Sequence, residues 1–297
     1  MSAVAKAVIA AAGRGTRFLP VVKGYAKELV PVLNKPNIQY LVEELLGAGI
    51  FKIAIIHRPG EKSIRDYFTP DKEWEAYLKQ NDKDGLLASL QAIWDKAELA
   101  YYPQTADLPY GNASPVLAAK KFLGDEPFVY LFGDDFVLEP QPGRCLKEML
   151  GIFEKHHPAV VLGVQEVPWE EIEHYGTVKY DTASSIPYKA AAILEKFSRD
   201  QVFSNFAVLG RFVISSRIWP VLEKRELGKN SESWLADINN KLAQQDVVIA
   251  QPLKHGRWLT TGDPWHWLQT NLEVARRDPQ IGPTIKAYLN RFCLNQS

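Results

Sequence analysis

A short basic segment, Gly13-Arg14-Gly15-Thr16-Arg17, follows an apolar, β-prone run from Ala7 to Ala11, and Lys23 and Lys27 come soon after it. Glycines let backbone N–H groups turn inward toward a ligand, and such a nest favours anions. Arg17 adds a fork suited to bidentate phosphate contact, and Lys27 adds a point charge. Strand, glycine turn and fixed cations together suggest a polyphosphate site, although Gly-x-Gly after a strand also makes an ordinary tight turn. The run is not a P-loop, because no Gly-Lys-Ser/Thr closes it. The third glycine of the dinucleotide fingerprint is also missing from the stretch that holds Arg17, which disfavours an NAD-dependent oxidoreductase.

Asp134 is the second candidate. Phe128 to Phe132 reads as a buried strand that stops at Gly133-Asp134-Asp135, and open α/β sheets bind ligands at such strand ends. A carboxylate there can hold Mg²⁺ between phosphate oxygens; the same three residues also suit a strand-ending turn. The six histidines show no metal-ligand spacing. His156-His157-Pro158 reads as a helix end, and His266, between Trp265 and Trp267, as a packed or interface residue. No Ser/His/Asp arrangement is readable.

The residues after the basic turn carry more information. Lys27-Glu28-Leu29-Val30-Pro31 and Asn34-Lys35-Pro36, with Ile38-Gln39-Tyr40 beyond, extend the pattern until it resembles the sugar-1-phosphate nucleotidylyltransferases, in particular the bacterial UTP–glucose-1-phosphate uridylyltransferases. The resemblance implies transfer of a nucleotidyl group from a nucleoside triphosphate to a sugar 1-phosphate, with UTP and glucose 1-phosphate the first expectation and Mg²⁺ the cofactor. It implies that Arg17, Lys27, Asp134 and Lys196 are catalytic, with Asp134 the metal ligand. Ala12, Gly13, Gly15, Thr16, Gln104 and Gly111 would contact the nucleotide, and Gly176, Glu195 and Asn205 the sugar.

Further stretches support the likeness. Gln104 to Ala113 resembles the family's base-binding loop, a Gln followed seven positions later by Gly, and a Gln amide can match an imide edge. Tyr175-Gly176-Thr177-Val178 matches a sugar-contacting turn. Leu194-Glu195-Lys196 matches a Glu-Lys pair that holds sugar and phosphate, and Ser204–Ile214 and Ile218-Trp219-Pro220 follow in register. Glu232 and Asp237 lie where the family begins a helix.

The departures are informative. Asn112 stands where His is usual, Ser114-Pro115 is inserted before Val116, and Phe197 replaces the usual Pro after Lys196. Trp258-Leu259-Thr260-Thr261-Gly262 has Thr260 where the family usually has a second metal-binding Asp. Either one carboxylate suffices with phosphates and water, or Asp263 substitutes, or activity is weakened. The alternatives are therefore thymidylyl or adenylyl transfer, or a nucleotide-sugar-binding regulator with little catalysis.

The whole chain must position these groups. Its 297 residues, 46% of them hydrophobic, suffice for one large α/β domain or two small ones. Thirty-five basic and 35 acidic residues balance, so nothing favours nucleic acid or an anionic membrane as partner. Cys145 and Cys293 fit neither a disulfide framework nor a zinc spacing, and a reducing cytoplasm is the simplest setting. Lys6 before the apolar run faintly resembles a signal peptide, but the run is short and leads straight into the basic motif. No run approaches the ~20 apolar residues of a membrane span.

Periodicity predicts strands at Ala7–Ala11, Phe51–Ile56, Leu99–Tyr102, Phe128–Phe132, Ala159–Val164, Gly176–Tyr180, Ala190–Glu195, Phe206–Ile214 and Val247–Ala250. It predicts helices after Pro36, in pieces over 61–97, at Val116–Leu123, around Leu146–Phe153, at Ser216–Glu223, Ser231–Ala243, Pro264–Arg276 and Thr284–Phe292. Leu86, Leu87, Leu90, Ile93 and Trp94 are expected to form one apolar stripe. The resulting architecture is doubly wound, Rossmann-like α/β with a mixed sheet, an inserted β-rich sugar-binding portion and C-terminal helices. The resemblance implies the same fold, of the nucleotide-diphospho-sugar transferase type. It would be a single domain over 1–297, with the nucleotide on about 1–140 and the sugar on about 141–297. The family commonly forms homodimers or homotetramers, and the Trp-rich C-terminal helices could supply an interface.

Overall fold

The computed structural model describes residues 4–195 and 201–294. Strand β1 (Lys6–Ala11) leads through three short 3₁₀ turns into α1 (Asn37–Gly47), and β2 (Lys52–His57) follows. Short helices at Ser63–Phe68, Lys72–Gln80 and Ala88–Trp94 precede β3 (Glu98–Pro103); two more, at Ser114–Ala118 and Lys120–Leu123, precede β4 (Phe128–Phe132). Then come β5 (Asp135–Leu138), α2 (Arg144–His156), β6 (Val160–Glu166), β7 (Gly176–Tyr180), β8 (Ala190–Leu194) and β9 (Phe206–Ile214). The chain continues through α3 (Leu235–Gln245), β10 (Val248–Pro252), β11 (Arg257–Thr260), α4 (Pro264–Arg277) and α5 (Gly282–Leu294).

Nine of these strands form one mixed sheet. β3, β2, β1 and β4 lie side by side and parallel, as strands joined by helical crossovers do. β9 then runs antiparallel beside β4 and carries β6 and β7 along its length; β8 extends β7, and β10 extends β6. Strands from the first 140 residues and strands from the rest of the chain therefore share a single hydrogen-bonded frame.

Alternation along the strands feeds two cores. Ile9, Leu131 and Val213 face one side, with Leu41, Leu45, Met149 and Phe153 of α1 and α2. Their neighbours Val8, Tyr130 and Phe212 face the other, with Val116, Ile238 and Leu242. Successive strand side chains point to opposite faces, and both faces here are covered, so the central strands read as continuous apolar runs.

Sequence periodicity missed two short ladders, one of them between Pro31–Val32 and Lys35–Pro36, and misjudged other elements. β5 and β11 form a separate antiparallel ladder that sets Asp135 opposite Thr260; each has four residues, too few for alternation to stand out. The stripe expected over 86–94 does not form: Asp84–Leu87 is a 3₁₀ turn that breaks the 3.6-residue period, Leu86 is 71% exposed, and of that set Ile93 is fully buried. Ala119 splits the helix expected at Val116–Leu123. The helix expected from Ser231 begins at Leu235, so Glu232 lies before it. Asp237 is exposed beside Gly228 and Lys241, away from the cleft.

Candidate active site

The loops after β1 and β4 meet at the C-terminal edge of the parallel strands. Lys27, on a 3₁₀ turn, crosses to the end of β4 and pairs its Nζ with Asp134 Oδ2. Gly15 makes the approach possible: its φ of +62° is left-handed, and a Cβ there would lie 3.0 Å from Lys27 Cβ and from Val22 Cγ2. Burial opposes a charge on Lys27, yet the Asp134 and Glu28 carboxylates outweigh it and hold its pKa above the ordinary value. Burial likewise opposes the Asp134 carboxylate, and Lys27 outweighs it, holding that pKa below the usual range.

Two cavities meet at Asp134. The first, about 250 Å³, is lined by Ala12, Gly13, Lys27, Gln104, Gly111 and Asp134, with Tyr110, Glu232 and Trp234 on its far side. Gly111 has φ +135°, and a Cβ there would fall on the Ser233 backbone, so only glycine lets this loop close on the residues before α3. Gly15 and Thr16 shape the basic turn but do not line the cavity. Asn112, the departure from the usual His, engages its side-chain oxygen elsewhere: Oδ1 accepts the Leu235 N–H at 2.7 Å, capping the start of α3.

The second cavity, about 700 Å³, shares Asp134, Asn112, Phe132 and Trp234 with the first and adds Arg17, Asp135, Tyr175, Gly176, Glu195 and Thr260. Arg17 thus stands on the same mouth as Lys27 and Asp134, and a Cβ at Gly262 would lie 3.3 Å from Asp134 Oδ2 and 3.7 Å from Arg17 Nη1. Asn205 stands apart from both cavities. Its amide donates to Glu166 Oε1 at 2.9 Å and to the Val167 carbonyl at 3.2 Å, which binds it to the far end of β6. Lys196 lies outside the described residues.

The carboxylates differ in what they can offer a cation. Asp134 reaches the boundary of both cavities and is countered by a lysine that a phosphate could take over. Asp135 is buried and pushed up to about 6 by desolvation and by Asp134, while Arg211, Thr260 and Trp258 pull the other way. Both oxygens of Asp263 are engaged by His266: Oδ1 accepts its N–H at 3.0 Å and Oδ2 meets its Nδ1 at 2.6 Å. Thr260 turns its hydroxyl toward the Asp134 carbonyl at 3.4 Å and accepts the Gly262 N–H at 3.2 Å. The residues fit a divalent ion held by one carboxylate, with phosphate oxygens and water supplying the rest.

Three site features escaped sequence reasoning. Glu28 is fully buried between Lys27 and Gly133, and among the described residues neither carboxylate oxygen has a hydrogen-bond partner. Desolvation, only partly offset by Lys27, pushes its carboxyl from 4.5 up to about 7. Its folded form therefore keeps a proton that the unfolded chain releases, so this group's contribution to stability falls as pH rises from about 4.5 to about 7. Glu28→Gln should flatten that part of a plot of denaturation midpoint against pH; an unchanged slope would assign the effect elsewhere. His266 is not simply packed but sits in the cleft wall on Asp263. Arg211 is buried beneath the site. No motif marks these features: a Lys-Glu pair, a His between tryptophans and a Gly-Arg in a strand are individually common.

Comparison with known proteins gives the family. The nucleotidyl transferase family pattern matches residues 6–277. The UTP–glucose-1-phosphate uridylyltransferase of Staphylococcus epidermidis is 34% identical over 292 residues, covering 98% of this chain and 99% of that protein. The apo structure of a UDP-glucose pyrophosphorylase superposes with a TM-score of 0.85 at 29% identity, over 92% of this chain and 99% of that one. A UTP-bound enzyme of the same kind from Acinetobacter baumannii gives 0.84 at 29% identity, over 96% and 98%. With a cleft of two joined cavities, a cationic rim and one central carboxylate on the matching sheet, this chain belongs to the nucleotidyl transferase family.

Proposed function

We propose that this protein is a UTP–glucose-1-phosphate uridylyltransferase, joining UTP and glucose 1-phosphate into UDP-glucose with release of pyrophosphate. The observation that carries the reading is Lys27 paired with Asp134 where the cavity lined by Gln104 and Gly111 meets the one lined by Gly176 and Glu195. The nucleotide occupies the side built by about residues 1–140, with Gln104 and Gly111 at the base and Ala12 and Gly13 along the phosphates. Gly15 and Thr16 hold the turn that presents them. The sugar occupies the side beyond, against Gly176 and Glu195.

A phosphate oxygen of the sugar 1-phosphate attacks the α-phosphorus of the triphosphate, and pyrophosphate departs. That oxygen is already anionic at neutral pH, so the protein needs no general base. Its task is to align two anions and neutralise their charge. Arg17 and Lys27 hold the triphosphate and the departing pyrophosphate, and Lys27 leaves Asp134 to do so. Nucleotidyltransferases of this kind use a divalent metal; Mg²⁺ is the ion we assign, held by Asp134, and when bound it neutralises charge at the α-phosphate. Chelation by EDTA should abolish turnover and Mg²⁺ should restore it. Thr260→Asp, by adding a carboxylate, should lower the Mg²⁺ concentration for half-maximal activity by about tenfold; an unchanged requirement would exclude Thr260 from the metal's surroundings.

Pyrophosphate release measured with UTP, dTTP and ATP against several sugar 1-phosphates tests the assignment. Turnover with UTP and glucose 1-phosphate well above all other pairs is expected. Preference for dTTP or ATP would move the chain to another branch, and binding without turnover would make it a regulator.

No described helix is long and apolar enough to cross a membrane. We place the enzyme in the cytoplasm, in keeping with a buried free thiol at Cys145. We also assign it a homodimer or homotetramer, since Trp265, Leu268, Tyr288 and Leu289 on the last two helices, and Ile281 between them, are exposed.

A further inference from the structure

Helix α4 begins beside the cleft, and its first turn is docked on the loop that carries Arg17. Trp267 packs with Phe18, Val22 and Val30, and its indole N–H donates to the Pro31 carbonyl at 2.7 Å. One turn on, Asn271 Oδ1 accepts the Leu33 N–H at 2.9 Å. Asp263 caps this helix, and its Oδ2 lies 3.8 Å from Arg17 Nη1.

Two features make Asp263 more than a cap. Burial opposes its charge, but the His266 backbone N–H, the His266 ring and Arg17 outweigh burial and hold its carboxyl below the usual range. It is therefore an anion at working pH, and because an ionised carboxylate only accepts, His266 Nδ1 carries the proton between them. His266 thus fixes the direction of the carboxylate from behind. Arg17, by contrast, has a side chain 71% exposed on a turn with no other anchor at its tip among the described ion pairs. The 3.8 Å separation exceeds a hydrogen bond, so the guanidinium is drawn toward Asp263 while its donors stay open to phosphate oxygens.

Resting on the assignment of Arg17 to the triphosphate, we propose that Asp263, locked by His266, is the positioning residue that aims Arg17 into the cleft. It touches no substrate in this role. Its effect is to present the guanidinium beside Asp134 before the nucleotide arrives, so that less ordering remains to be done on binding.

The test is a double-mutant cycle on the full chain, read by pyrophosphate release with UTP and glucose 1-phosphate. Asp263→Asn keeps a helix-capping side chain and removes the charge that faces Arg17. It should lower kcat/KM for UTP on the order of tenfold, while KM for glucose 1-phosphate changes less than twofold. In an Arg17→Ala background the same substitution should add nothing, because the residue it positions is gone. His266→Asn, which retains a donor near Nδ1, should stay near wild type, and His266→Phe should reproduce the Asp263→Asn loss. That pair carries the test if Asp263→Asn melts below the assay temperature. Wild-type kinetics in Asp263→Asn, or losses that multiply with Arg17→Ala, overturn the positioning role. Wild-type kinetics in Arg17→Ala itself would instead remove the assignment of Arg17, and the positioning role with it.

Discussion

Alanine in place of Lys27 is expected to lower turnover on the order of 10²-fold or more, and alanine in place of Asp134 to do the same. Lys27 pairs with Asp134, lies 3.9 Å from Glu28 and lines the cavity that holds Gln104 and Gly111. Its removal takes away a fixed cation from the developing charge of the leaving pyrophosphate. It also takes from Asp134, beside the Glu28 and Asp135 carboxyl groups, its main counter-charge, so the carboxylates favour protonation and offer a metal less. Asp134→Ala removes the only carboxylate that borders both cavities among the described residues. Steady-state pyrophosphate release on both variants, with circular dichroism to show that they fold, decides the matter. Folded variants that turn over at the wild-type rate would end the proposed mechanism.

The second large effect is on stability. Arg211 on β9 and Glu44 on α1 form an ion pair buried to 1% and 4% side-chain exposure, with Nε to Oε1 and Nη2 to Oε2 both at 2.9 Å. Arg211 also donates to the Gly210 carbonyl at 2.9 Å and to the Asp135 carbonyl at 2.8 Å. The guanidinium therefore ties helix, sheet and the Asp134-bearing turn together. Glu44→Leu leaves that guanidinium buried and uncompensated and should cost about 3–5 kcal/mol in urea denaturation. Replacing both residues, as in Glu44→Leu with Arg211→Met, should recover most of that loss, because an apolar pair of similar volume no longer buries a lone charge. Turnover should not recover with it, since the support under Asp135 is gone. A double variant as unstable as Glu44→Leu alone would contradict this account of the pair.

Much of the fold was legible because its signals are local. Phe128–Phe132, Gly176–Tyr180 and Phe206–Ile214 are strands over the ranges that alternation and apolar runs predicted. Helix α1 begins just after Pro36, whose fixed φ suits a helix start, and Gly49 at φ +87° follows its end. The β5–β11 ladder was not legible, because each strand is short and its partner lies more than a hundred residues away in the chain. Register between such segments depends on how the rest of the sheet folds. The stripe over 86–94 failed for a related reason: helical period counts only where the backbone stays helical.

The candidate site divides along the same line. Residue types and spacing near the N-terminus identified the cationic turn and the family, and a buried run in mid-chain the strand-ending aspartate, because glycine geometry and charge are properties of single residues and their close neighbours. Partnership was settled only by the tertiary structure. It gave Lys27 to Asp134, held Asp263 on His266, turned Asn112 toward α3, placed Asn205 at the far end of β6, and buried Glu28 and Arg211 beneath the cleft. These pairings join residues from separate elements, and whether a charge is exposed, paired or desolvated depends on what the folded chain packs against it.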